Sequence, residues 1–130
     1  MKSCLIVDDS RVVRKVARRI VEGLGFTCHE AEDGQKAFDF CEKTMPDVVL
    51  LDWNMPVMSG IEFLEKLRMM EDGSGAATKV ILCTTENDLT HIQRAVTAGA
   101  DEYIMKPFDR EIVAAKFVQV GLMEKNKQTA

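Results

Sequence analysis

The chain has 130 residues, which suits one domain and leaves no room for a second. Apolar residues make up 46% and charged residues 29%, an ordinary globular balance, and 17 basic against 21 acidic side chains leave a net charge of −4, the wrong sign for a dedicated nucleic-acid binder. No apolar run reaches the roughly 18 residues of a membrane span, Asp8 and Asp9 interrupt the first run too early for a signal peptide, and the four cysteines (Cys4, Cys28, Cys41, Cys83) form no CxxC pair, so they read as reduced core thiols of a cytoplasmic protein.

Five short apolar runs, at residues 4–7, 28–31, 48–51, 80–84 and 103–105, alternate with five longer amphipathic segments. The first, third and fourth runs are nearly continuous Leu, Ile and Val, the pattern of a parallel strand covered on both faces. The second is short and mixed and predicts an edge strand. Ser10 caps a first helix in which Val13, Val16, Ile20 and Leu24 recur at spacings of three and four and face inward, and Gly25 ends it. Arg11, Arg14, Lys15, Arg18 and Arg19 lie on its other side. Residues 34–44 form a second helix with Ala37, Phe38 and Cys41 inward, and residues 60–70 a third with Ile61, Leu64 and Leu67 inward. Residues 72–77, containing Gly73-Ser74-Gly75, read as a loop, and residues 88–98 as the fourth helix. The fifth helix covers residues 109–123, with Val113, Phe117 and Val120 towards the sheet and Ala114, Ala115, Val118 and Leu122 turned outward. Residues 1–123 are one domain and 124–130 a polar tail that frays. Strict alternation predicts an α/β fold with a parallel sheet, right-handed crossovers and helices on both faces. Ligands of such sheets bind at the carboxyl ends of the strands.

At those ends stand Asp8-Asp9 after the first run, Asp52-Trp53-Asn54 after the third, Thr84-Thr85-Glu86 after the fourth and Lys106-Pro107 after the fifth. Any one of them alone is explained by a helix cap or a solvated strand end. Four strands delivering three carboxylates, a hydroxyl and an ammonium to one edge point to a site. Crowded carboxylates either gain protons or gather a cation, and hard oxygen ligands of this kind suit Mg²⁺. With its charge so shielded, Asp52 can attack as a carboxylate nucleophile and form an aspartyl phosphate. Mg²⁺, the Thr84 hydroxyl and the Lys106 ammonium would then each take one phosphoryl oxygen.

Leu5-Ile6-Val7-Asp8-Asp9-Ser10, the run from Asp47 through Asp52-Trp53-Asn54-Met55-Pro56 to Gly60, Thr84-Thr85-Glu86, Gly99-Ala100 and Lys106-Pro107-Phe108 together resemble the receiver domains of two-component response regulators, in particular stand-alone CheY-like ones. The resemblance runs from Ser3 to about Met123. It implies a flavodoxin/CheY-like doubly wound fold, a five-stranded parallel sheet in the order 2-1-3-4-5 with five helices. It implies Asp52 as phosphate acceptor, and Mg²⁺ held by the side chains of Asp9 and Asp52, the backbone carbonyl of Asn54, and Asp8 through a bound water. Thr84 becomes the switch hydroxyl, Tyr103 the switch aromatic, and Lys106 the phosphoryl contact, with a cis Lys106–Pro107 bond. Asn54 and Glu86, two residues after Asp52 and Thr84, would tune hydrolysis.

By the same resemblance the chain is no enzyme towards other substrates, catalysing only its own phosphorylation and autodephosphorylation. Its donor would be a histidine kinase or a His phosphotransfer domain, docking beside the basic first helix. Phosphorylation would reshape the face of helix four, strand five and helix five, which then binds a downstream protein, as in chemotactic control of a flagellar motor. The alternative is a phosphate shuttle or sink in a multistep phosphorelay. Ala114, Ala115, Val118 and Leu122 form an uncharged candidate partner face for a helix of another protein or for a second copy, a homodimer of the phosphorylated form. A haloacid-dehalogenase-type enzyme needs a second Asp where Asn54 stands, and a flavodoxin-like cofactor site needs a phosphate loop where Asp8 and Asp9 repel phosphate. Neither nucleic acid nor membrane insertion is expected.

Overall fold

The apolar runs become strands because each can bury side chains on both of its faces. The computed structural model describes residues 2–53, 55, 57–70, 73–85 and 89–124. Its elements are β1 (Ser3–Val7), α1 (Arg11–Gly23), β2 (Thr27–Ala31), α2 (Gly34–Lys43), β3 (Val48–Asp52), α3 (Gly60–Arg68), a 3₁₀ turn (Ser74–Ala76), β4 (Lys79–Thr84), α4 (Leu89–Ala98), β5 (Glu102–Met105) and α5 (Arg110–Gln119). The strands form one parallel sheet in the order β2-β1-β3-β4-β5. β2 is the edge strand its mixed composition predicts.

Period-two alternation sorts the strand side chains into two cores. Leu5, Val7, Val49, Leu51, Val80 and Leu82 pack with Ala37, Phe63, Leu64, Leu67 and Ala95 from α2, α3 and α4. Cys4, Ile6, Val48, Leu50, Ile81, Cys83 and Ile104 pack on the other face with Ala17, Val21, Val113 and Phe117 from α1 and α5. Each fully buried Leu, Ile or Phe contributes about 1.5–3 kcal/mol, so both faces of the sheet are strongly fixed.

Helix starts follow local chemistry. Ser10 Oγ accepts from the Val13 amide, Asp33 caps α2, Ser59 and Glu62 make a reciprocal capping box on α3, and Asp109 caps α5. In α1 the structure corrects the predicted inward line. Ala17 and Val21 are buried, whereas Val16 is 49% exposed. Lines 13-16-20-24 and 13-17-20/21-24 have the same helical spacing, so periodicity alone does not choose between them. Packing chooses the line that carries the small Ala17. The predicted loop at 72–77 contains the 3₁₀ turn Ser74–Ala76, where a Cβ on Gly75 would collide with the Leu67 carbonyl oxygen.

The fifth helix ends earlier than predicted, at Gln119. Gly121, at φ +83°, donates to the Val118 carbonyl, and Leu122 donates to the Phe117 carbonyl, the paired bonds of a Schellman stop. Leu122 therefore leaves the helical path, folds back and is buried in the α1–α5 core. It does not belong to the outward face assigned to it with Ala114, Ala115 and Val118. Ala115 is exposed and Ala114 and Val118 are half-buried.

Candidate functional site

Parallel strands end at one edge, and that edge gathers the predicted residues. Asp8 follows β1, Asp52 closes β3, Thr84 closes β4 and Lys106 follows β5. Oxygens of Asp8, Asp9 and Asp52 lie within 4.8 Å of one another. Asp8 is 3% exposed and Asp52 8%, while Asp9 faces solvent. The Lys106 ammonium donates to Asp8 Oδ2 at 2.7 Å and to Asp52 Oδ1 at 3.1 Å.

Backbone contacts hold this arrangement. Asp8 Oδ1 accepts from the Ser10 amide at 2.8 Å, which turns the chain from β1 into α1. The Lys106 amide donates to the Thr84 carbonyl at 2.8 Å, locking the ends of β4 and β5 together. The Lys106–Pro107 peptide is cis. After β3 the chain passes close over the start of α3, where a Cβ on Gly60 would stand 2.5 Å from the Asp52 carbonyl oxygen. Only glycine fits that approach.

Burial, reinforced by the Asp8 charge, raises the Asp52 carboxyl above the ordinary Asp value, although the Lys106 bond pulls the other way. Burial opposes the Lys106 charge, but its bonds to Asp8 and Asp52 outweigh that, and its pKa is raised. Three carboxylates around one ammonium leave excess negative charge in a partly buried cluster. All-oxygen donors with one solvent-facing member fit a hard divalent cation that keeps some of its own water.

The remaining expectations divide. Thr84 is buried at the site edge. Tyr103 is half-buried on β5 against the α2–α4 core, with the Lys116 ammonium 5.1 Å from its ring centre. Asn54 and Glu86 lie outside the described residues. The basic side of α1 is split. Arg14 and Arg18 both bond Glu30 of β2, at 3.0 and 2.8 Å, while Arg11, Lys15 and Arg19 face solvent. Exposed Val12 and Val16 line an apolar recess with Val13, Thr85, Pro107 and Phe108, and Lys106 forms part of its wall. Helical spacing alone does not reveal that recess, because the 13-16-20-24 line puts Val16 in the core.

This doubly wound sheet, with an acidic cluster and a lysine at its carboxyl edge, is the architecture of a signalling receiver. The family model for the response regulator receiver domain matches residues 4–117, and the chain belongs to that family. It is 36% identical over 112 residues to the chemotaxis protein CheY of Halobacterium salinarum, covering 86% of this chain and 90% of that one. It is 37% identical over 114 residues to the phosphate regulon transcriptional regulatory protein PhoB of Pseudomonas aeruginosa, covering 87% of this chain and 49% of that protein, about half its length. Among solved structures, chemotaxis response regulator CheY4 of Vibrio cholerae superposes with a TM-score of 0.86 at 32% identity, covering 92% of this chain and 98% of that one. The chain is thus a CheY-like receiver domain of two-component signalling. Among the described residues no helix is long and apolar enough to cross a membrane.

Proposed function

We propose that the chain accepts a phosphoryl group on Asp52 from a histidine kinase or a His phosphotransfer domain and relays the signal through its α4–β5–α5 face. The observation that carries this reading is the convergence of Asp8, Asp9 and Asp52 with Lys106 bonded to two of them. An Asp52 carboxylate oxygen attacks the phosphorus of the donor phosphohistidine, the P–O bond forms, the P–N bond breaks, and the imidazole leaves. Asp9, Asp52 and the Asn54 carbonyl would hold Mg²⁺, with Asp8 acting through water, and the ion would neutralise charge on the phosphoryl oxygens. Lys106 exchanges its Asp52 bond for a phosphoryl oxygen, and Thr84 supplies a hydroxyl to another. Thr84 moves towards the phosphate, and Tyr103 turns into the space behind it. Hydrolysis by water at phosphorus, tuned by Asn54 and Glu86, returns the carboxylate.

Arg11, Lys15 and Arg19 beside the apolar recess of Val12, Val16 and Phe108 support donor docking next to Lys106. Ala114, Ala115 and Val118 remain the proposed partner face on α5. The chemotaxis names of two relatives support an output role in chemotaxis, with a flagellar motor component as the proposed target and a phosphorelay shuttle as the alternative. The test is phosphorylation by acetyl phosphate with MgCl₂, read by intact mass. Wild type should gain one phosphoryl group and Asp52→Asn none. A full gain in Asp52→Asn places the acceptor elsewhere and defeats the reading.

A further inference from the structure

Each polar atom of Asp8 has a partner, and one of those partners is unexplained by the site described above. The Asp8 amide donates to the Ala31 carbonyl at 3.1 Å, Oδ1 accepts from Ser10 and Oδ2 from Lys106. Its carbonyl oxygen accepts from Arg14 Nη1 at 2.7 Å. That guanidinium is itself fixed, because Arg14 Nε donates to Glu30 Oε1 at 3.0 Å. The other carboxylate oxygen of Glu30 takes Arg18 Nη1 at 2.8 Å. The Arg14 side chain is only 14% exposed, so these bonds are partly shielded from water. The Asp8 carbonyl belongs to the peptide that joins Asp8 to Asp9. That planar unit includes the amide nitrogen and Cα of Asp9, so the bond to its carbonyl fixes the point from which the Asp9 side chain leaves the backbone.

We infer that Arg14 is a positioning residue for the acidic site, holding the Asp8–Asp9 peptide through the Asp8 carbonyl while Glu30 of β2 holds the guanidinium. The inference rests on the reading of that site as a Mg²⁺ site. A planar fork with donors at fixed angles reaches a carbonyl on one side and a carboxylate on another, whereas a lysine ammonium offers the same charge from a flexible stem. Arg14→Lys therefore separates position from charge. Groups that orient a metal ligand from behind typically alter affinity about 10–100-fold when changed.

The experiment is a MgCl₂ titration followed by the fluorescence of Trp53, adjacent to Asp52, with calorimetry as a second readout and melting temperature as a stability control. Arg14→Lys should weaken Mg²⁺ about tenfold. Glu30→Gln, which keeps the arginine but removes its carboxylate anchor, should weaken it in the same direction. Arg14→Ala should also weaken it, although removing a nearby positive charge would by itself tighten cation binding. Unchanged affinity in Arg14→Lys, or tighter binding in Arg14→Ala, overturns the inference. So does a lower melting temperature with the affinity unmoved, since that is a purely structural role. A wild type that binds no Mg²⁺ overturns the metal reading and this inference with it. A wild type that binds with all variants equal overturns this inference alone.

Discussion

Asp52 carries its charge against its surroundings. Burial and the Asp8 carboxylate raise its pKa above the ordinary 3.8, and Lys106 only partly restores the balance. An acid with a raised folded pKa binds its proton more tightly folded than unfolded. Its charge therefore destabilises the fold fully above the folded pKa, and the penalty fades as pH falls through that value. Asp52→Asn should raise the thermal midpoint at neutral pH in Mg²⁺-free buffer, and the gain should vanish on the acid side of the carboxylate range. A gain independent of pH means that charge is not its cause. Mg²⁺ should relieve the same strain in wild type, adding about 1.4 kcal/mol at tenfold its dissociation constant. Glu86, two residues past Thr84, is a separate case. Glu86→Ala should alter the decay of phosphorylated Asp52 in a phosphate-release assay while phosphorylation persists. An unchanged decay rate leaves Glu86 with no part in hydrolysis. Asp8, Asp52, Thr84 and Lys106 were legible because each directly ends or follows an apolar run. The Arg14–Glu30 bond was not, because it spans 16 residues and exists only where β2 lies beside β1.

At the scale of elements, the stops are more informative than the starts. Gly121 at φ +83° ends α5 and sends Leu122 into the core beside Phe117. Lysine at position 122 is thus a stability lesion and not a probe of partner binding. Leu122→Lys should lower urea-unfolding stability by about 2–3 kcal/mol, and Gly121→Ala by about 1 kcal/mol through left-handed strain. Equal stability of Leu122→Lys and wild type means that Leu122 is not buried in solution. Val118→Lys, on the half-buried face of α5, tests the partner surface without that confusion. A second element-scale tie was invisible in the sequence. Arg68, at the end of α3, donates to the carbonyls of Gly75, Thr78 and Gly99 and pairs with Asp101 at 2.9 Å. An arginine in the last turn of a helix reads as a solvated cap until β4 and the α4–β5 turn are folded around it.

For the whole molecule, the sheet divides the protein into two cores, and the cysteines lie in both. Cys4, Cys28 and Cys83 belong to the α1–α5 side and Cys41 to the α2–α4 side. Burial above all pushes the Cys28 thiol up to about 11 and those of Cys41 and Cys83 to about 12. Alkylation needs a thiolate and access, and the native fold denies both. Iodoacetamide should leave the native protein unmodified over the time in which the urea-unfolded chain takes four groups, one for each cysteine. Fast labelling of one thiol in native buffer would identify a face that opens without global unfolding.

Residue order alone determined the strand and helix alternation, the parallel sheet it forces, and the strand-end acids and lysine. Each of these depends on local pattern and on the rule that parallel strands share a carboxyl edge. Tertiary structure decided what depends on neighbours distant in sequence. It chose Ala17 over Val16 for the core and thereby opened the apolar recess beside Lys106. It drew Leu122 inward. It turned two of five bases on one helix into internal ties through Glu30, because a guanidinium takes whichever carboxylate and carbonyl the fold brings within reach.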